Sequence, residues 1–136
     1  MAGKSDRTQV SEPERPRYSV RLQERALRDV DAAFVGLAEF ASEAIAHAWR
    51  AGLSEVVSGL AENPRRHPRV PEHFLREVRQ ALYRRPGSRV AYRILFTLTG
   101  EEADALEGPT VTVFHVRHAS ARSITRTEAR ELERGV

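Results

Sequence analysis

From Arg17 to Leu22 apolar and polar residues alternate, with Tyr18, Val20 and Leu22 on one side, the period of two that marks a half-buried strand. From Glu24 the step changes to three and four. Leu27, Val30, Phe34 and Leu37 then form a stripe that predicts an amphipathic helix to Phe40, with Ala26 and Ala33 permitting close packing. Ser42 is placed to cap a second helix, whose apolar stripe includes Ile45, Trp49, Leu53, Val57 and Leu60 until Asn63-Pro64 stops it. Two helices joined by so short a link read as an antiparallel hairpin.

A basic, proline-punctuated connection runs through Pro71, and three further strands follow: Glu77 to Arg84, Arg89 to Thr99 and Thr110 to His118. Pro86-Gly87 makes the joint between the first two a turn. The acidic stretch from Gly100 to Pro109 is longer than a tight hairpin needs and reads as a loop. Residues 1–16 have no period and are expected to form a disordered or weakly docked arm. Residues 17–122 then make the domain, and 123–136 a polar helix or tail with little to dock it. The order β-α-α-β-β-β predicts an α+β fold, an antiparallel sheet of about four strands with the helical hairpin on one face and the other face open.

Composition narrows the chemistry. With 136 residues the chain fits one domain, and with no cysteine it has neither disulfides nor thiolate chemistry, so a reducing cytoplasm fits it best. No apolar stretch suits a membrane span or a secretory signal. The net charge of +3 hides an uneven distribution: Glu24 to Glu62 holds seven acidic and three basic residues, whereas Arg65 to Arg93 holds nine Arg against Glu72 and Glu77. Such a segment steers toward phosphates or an acidic protein.

In the strand Arg89 to Thr99 the positions Tyr92, Ile94, Phe96 and Leu98 share one side, leaving Arg93 on the other. If Val78 and Leu82 are core positions and the loop is Arg84 to Ser88, then Arg79 lies opposite Arg93 on the open face. Like charges across neighbouring strands repel, so such a pair is expected to grip a phosphate or carboxylate between its guanidinium forks. The alternative is that Arg stems cover apolar sheet and pair with Glu72 or Glu77. His118, at a strand end, suits proton transfer near neutral pH. His115 and His118 are three apart, which sends them to opposite faces of a strand and argues against a shared metal. No metal or cofactor is expected. Arg65, Arg66, Tyr83, Arg84, Arg85, Arg89 and Arg122 complete the surface expected to meet a nucleic acid or a partner.

Taken in order, Tyr18-Ser-Val-Arg-Leu22, Ala26-Leu-Arg-Asp29, Ser42 with Trp49, Leu53 and Leu60, Asn63-Pro64-Arg65, Val78-Arg79 with Leu82-Tyr83, Tyr92-Arg93-Ile-Leu-Phe96 and Val113-Phe-His-Val-Arg117-His118 resemble the RelE/ParE family of toxins over about Arg17 to Arg122. The resemblance implies a bacterial type II toxin–antitoxin module, in which this chain inhibits growth and is neutralised in a hetero-oligomer by an antitoxin from an adjacent gene. It implies two targets. RelE-like members cut messenger RNA on the ribosome without metal, as endoribonucleases using basic and aromatic residues on the sheet; ParE-like members poison DNA gyrase by protein contact. By position Arg79 resembles a basic residue of the second strand, and Arg93 the Arg that contacts phosphate in RNA-cutting members. Ala81 stands where those members can carry a second basic residue, and Ile124 near where some have a catalytic Tyr.

As an enzyme the chain would direct a 2′-hydroxyl at the adjacent phosphate, with Arg79 and Arg93 stabilising the growing negative charge and His118 moving a proton. As a protein binder it would use the same basic face, or the helical hairpin, and need no acid–base residue.

Overall fold

The opening alternation becomes β1 (Ser19–Leu22), and the two helical stripes become α1 (Glu24–Phe40) and α2 (Glu43–Gly59). This computed structural model describes residues 17–136; the expected arm of 1–16 lies outside them. Ser42 caps α2 as its sequence position predicts, its Oγ accepting the Ile45 N–H at 3.1 Å. A single 3-10 turn over Pro64–Arg66 opens the basic connection. The later strands are β2 (Arg79–Arg84), β3 (Ala91–Thr99) and β4 (Thr110–His118), and α3 (Arg126–Glu133) follows.

The four strands form one sheet in the order β1-β4-β3-β2. The β2–β3 and β3–β4 pairs are antiparallel, but β1 lies parallel to β4, so the sheet is mixed where a wholly antiparallel one was expected. The end of the helical hairpin explains this. The Tyr18 N–H bonds to the Ala61 carbonyl at 2.9 Å, so the chain leaves α2 beside the start of β1. From there β2 sets out in the direction of β1, and two hairpin reversals make β4 parallel to β1.

One face of the sheet carries the main core. Ala81 and Tyr83 of β2, Ile94 and Phe96 of β3, and Val111, Val113 and Val116 of β4 pack there against Ala26 and Val30 of α1 and Trp49, Leu53 and Val57 of α2. At roughly 1.5–3 kcal/mol for each fully buried large apolar side chain, this layer is the main source of stability.

The opposite face is not open. Val78, Leu95 and Phe114 are buried there beneath Ile124, Ala129 and Leu132, with Val70, Phe74 and Val136 around them. The tail that its polarity marked as loosely attached is therefore a structural lid. Three apolar residues at suitable spacing are enough because α3 is also pinned at both ends. Thr125 and Glu128 form a reciprocal capping box. Glu133 accepts the Arg76 backbone N–H at 2.9 Å, and Arg130 donates to the His73 carbonyl at 3.1 Å.

Candidate functional site

The β2–β3 register decides the fate of the expected arginine clamp. Arg79 pairs with Phe96, whereas Arg93 pairs with Leu82. The β-turn region is thus longer than Arg84 to Ser88, and the register moves by an odd number of residues, which exchanges the two faces of β2. Ala81 and Tyr83 enter the main core, Leu82 is 60% exposed, and Arg79 and Arg93 stand on opposite faces.

Both arginines are committed within the chain. Arg93 donates through both terminal nitrogens to the two oxygens of Glu72, at 2.8 and 2.7 Å, and through Nε to Gln80. Its side chain is 10% exposed and that of Glu72 only 5%. The Arg93 hydrogen bonds, with the Ile124 N–H, hold the Glu72 carboxyl below the usual carboxylate range against the opposing effect of burial. Arg79 donates to Glu77 and to the Arg65 and His67 carbonyls. It clasps the basic connection to the sheet.

His118 is exposed and shares the helix-side face with Arg79, but its strand partner is Tyr92, four residues along β3 from the partner of Arg79. At roughly 3.3 Å per residue that separates them by about 13 Å along the sheet. Nδ1 of His118 accepts the Ser120 N–H at 3.1 Å and lies 2.5 Å from Ser120 Oγ. Arg79, Arg93 and His118 do not converge on one reacting atom. His115, paired with Leu95, faces the other way, as the odd spacing predicts.

The remaining expected residues divide into two groups. Tyr83 is buried, its ring fitted against Gly52 of α2, and burial pushes its hydroxyl pKa upward. Arg65 bridges Glu77 and Glu101, and Glu101 also accepts the Tyr18 hydroxyl at 2.6 Å. These two are structural. Arg84 and Arg89 on the β2–β3 turn and Arg66 on the connection are exposed and make no ion pair among the described residues. Arg85 reaches only the Pro86 carbonyl, and Arg122 pairs with Glu128. Exposed Leu82 and Val90 flank the turn, so it offers apolar contact between cations.

One residue escaped the sequence reading. A β-bulge between Leu95 and Phe96 shifts the β3–β4 register and sets Arg117 directly across from Arg93. The cross-strand Arg pair exists, but on β3 and β4, with one member neutralised by Glu72. Nothing in a strict alternation marks a bulge, so the pattern placed the pair one strand away.

The chain matches no protein-family model and no curated protein sequence. In structure it is similar to a chain of the chromosomal ParDE toxin–antitoxin system from P. aeruginosa, with a TM-score of 0.55 and 14% identity, over 76% of this chain and 97% of that one. The chain has a RelE/ParE-type fold. In this RelE/ParE-type fold the sheet face behind the helical hairpin is roofed by α3, and Arg84, Arg85 and Arg89 cluster about the β2–β3 turn without an acidic partner among the described residues.

Proposed function

We propose that this chain is the toxin of a type II toxin–antitoxin module, held inactive in the cytoplasm by a cognate antitoxin, and that it inhibits growth by contact with a protein target, DNA gyrase. The likeness of fold to a ParDE system supports the first part. One observation carries the second: Arg79 and Arg93, the residues that an RNA-cutting mechanism would place together, stand on opposite faces and are spent on Glu77, Glu72 and backbone carbonyls. Extracting Arg93 from its bidentate partner would leave a buried carboxylate uncompensated, at a cost of about 3–5 kcal/mol. By contrast, the turn carrying Arg84, Arg85 and Arg89, with Leu82 and Val90 beside it, combines steering charge with apolar contact, as a protein interface requires.

The test is pulse-labelling in bacteria within minutes of inducing the chain without its antitoxin. Thymidine incorporation is expected to fall first, with translation intact, and the purified chain to inhibit supercoiling by purified gyrase. An immediate fall in amino-acid incorporation, with cuts in ribosome-bound messenger RNA, would overturn the gyrase reading in favour of the RNA-cutting one.

A further inference from the structure

Where the first turn of α1 and the helix α3 meet the end of β4 that runs on beyond its pairing with β1, they enclose a cleft of about 350 Å³ lined by Arg25, His115, Arg117 and Glu128 among others. The target contact proposed above makes no use of it. Within it the His115 ring is held by a carboxylate: Nδ1 lies 2.8 Å from Asp29 Oδ2, and that same oxygen accepts the Val116 backbone N–H at 3.0 Å. An ionised carboxylate only accepts, so the proton of the neutral ring sits on Nδ1 and Nε2 carries a lone pair. Asp29 thereby sets both the tautomer and the orientation of the ring, the arrangement that prepares a histidine to take a proton.

Two arginines flank this ring. Arg25 makes no ion pair among the described residues. Arg117 spends one N–H on the Arg122 carbonyl at 2.9 Å, and its buried Nε has no partner. Besides Asp29 on the ring, the acids facing them are Glu128 and Glu131. Glu128 is already satisfied, by the Thr125 N–H and by Arg122, which hold its carboxyl at about 2. Glu131 stands on the exposed rim, where a second depression continues the cleft past Arg25 to Arg28 and Arg134. Arg28 is matched by Glu24 at 3.4 Å. The charges left over are Arg25, Arg117 and Arg134 against Glu131 and Asp29, so the groove keeps a small positive excess.

We propose that this cleft binds a phosphate-type oxyanion, with Arg25 and Arg117 gripping its oxygens, His115 Nε2 meeting its acidic O–H, and Asp29 as the positioning residue. Guanidinium forks match the oxygens of a phosphate, and a phosphate group near neutral pH still holds a proton that Nε2 is placed to accept. The Asp29 carboxylate then stabilises the imidazolium that forms, which couples anion binding to protonation of the ring.

Long-range nitrogen–proton NMR of the histidine rings in the full chain tests this. The probe is inorganic phosphate, with sodium chloride at matched ionic strength as control and a nucleoside 5′-monophosphate in parallel. In the free protein His115 is expected to show its proton on Nδ1. Phosphate should move Nε2 saturably from an unprotonated to a protonated signal, and Arg25→Gln and Arg117→Gln should each weaken the apparent affinity about tenfold. Arg84→Gln, on the β2–β3 turn, should leave it unchanged. Tighter binding of the monophosphate than of phosphate identifies a nucleotide as the source; equal binding identifies the free ion. A proton found on Nε2 in the free protein, a shift that never saturates, or one that survives unchanged in both variants would overturn the site. Arg25 is exposed and contributes to no core, so its variant keeps the test decisive even if Arg117→Gln fails to fold. The readout does not involve growth, so its failure leaves the toxin reading standing.

Discussion

At the scale of single residues, two close contacts hold the sheet to its surroundings. Gly52 lies where α2 crosses β2, and a Cβ built there falls 2.0 Å from the Tyr83 hydroxyl and 2.6 Å from Cζ, so only glycine admits the ring. Gly52→Ala is expected to destabilise the fold by about 1–3 kcal/mol despite the better helix propensity of alanine. In a Tyr83→Ala background the same change should cost almost nothing, a difference that a denaturant double-mutant cycle reads directly. The buried Glu72–Arg93 pair makes a prediction in pH. Because Arg93 lowers the folded-state pKa of Glu72 below its ordinary 4.5, the pair contributes stability that is complete above that value and lost as pH falls through the folded value. Glu72→Gln should therefore be less stable than the parent at pH 7, by about 3–5 kcal/mol if the Arg93 charge stays buried. It should also lose less on acidification, which thermal melts from pH 7 to pH 3 measure. A variant whose stability runs parallel to the parent over that range would remove Glu72 from the acid response.

Among the elements, α3 departs furthest from its sequence. Eight residues, mostly charged, give little sign of a lid, yet Ala129 and Leu132 are buried over Leu95 and Phe114. Its strength is expected to lie at its first turn. Thr125→Ala removes the half of the capping box in which Oγ accepts the Glu128 N–H and should cost about 0.5–2 kcal/mol, whereas Leu132→Ala opens the second core and should cost about 2–5 kcal/mol. Amide exchange of Leu95 and Phe114, which lie on inner strands, should rise far less than that of Ala129 in the Thr125 variant; equal rises would mean that α3 and the sheet open as one unit. What was legible follows from periodicity. The stripe of Leu27, Val30, Phe34 and Leu37 marked the bounds of α1, and Ser42 marked the cap of α2, because both are local signals. The alternation in Tyr92, Ile94, Phe96 and Leu98 likewise gave the helix-facing side of β3. The face of β2 was not legible, since Val78 and Leu82 look as apolar as Ala81 and Tyr83, and only the turn length and the Gly52 notch choose between them. The site failed with it. Arg79 and Arg93 were credible as a clamp only in the other register, and Arg117 came opposite Arg93 through a bulge.

On the scale of the whole molecule, charge is divided between an acidic helical layer and an Arg-rich stretch whose internal members are neutralised by Glu72, Glu77 and Glu101. Of that stretch, what is left to act at a distance is the β2–β3 turn together with Arg66. Arg84, Arg85 and Arg89 project there without an acidic partner among the described residues, so removing their charge should leave the fold nearly as stable, within about 0.5 kcal/mol for each surface change. The triple variant Arg84→Gln, Arg85→Gln, Arg89→Gln is expected to lose growth inhibition when induced without antitoxin. Association of the parent chain with gyrase should slow steeply as salt rises, because steering between unlike surfaces is screened beyond about 8–10 Å. The variant should associate slowly at every salt concentration, with a shallow dependence. Melting curves separate this loss from unfolding. A folded triple variant that still arrests growth would move the contact to the helical hairpin, whose acidic surface calls for a target of opposite charge and hence for a rate that depends on salt but not on these three arginines.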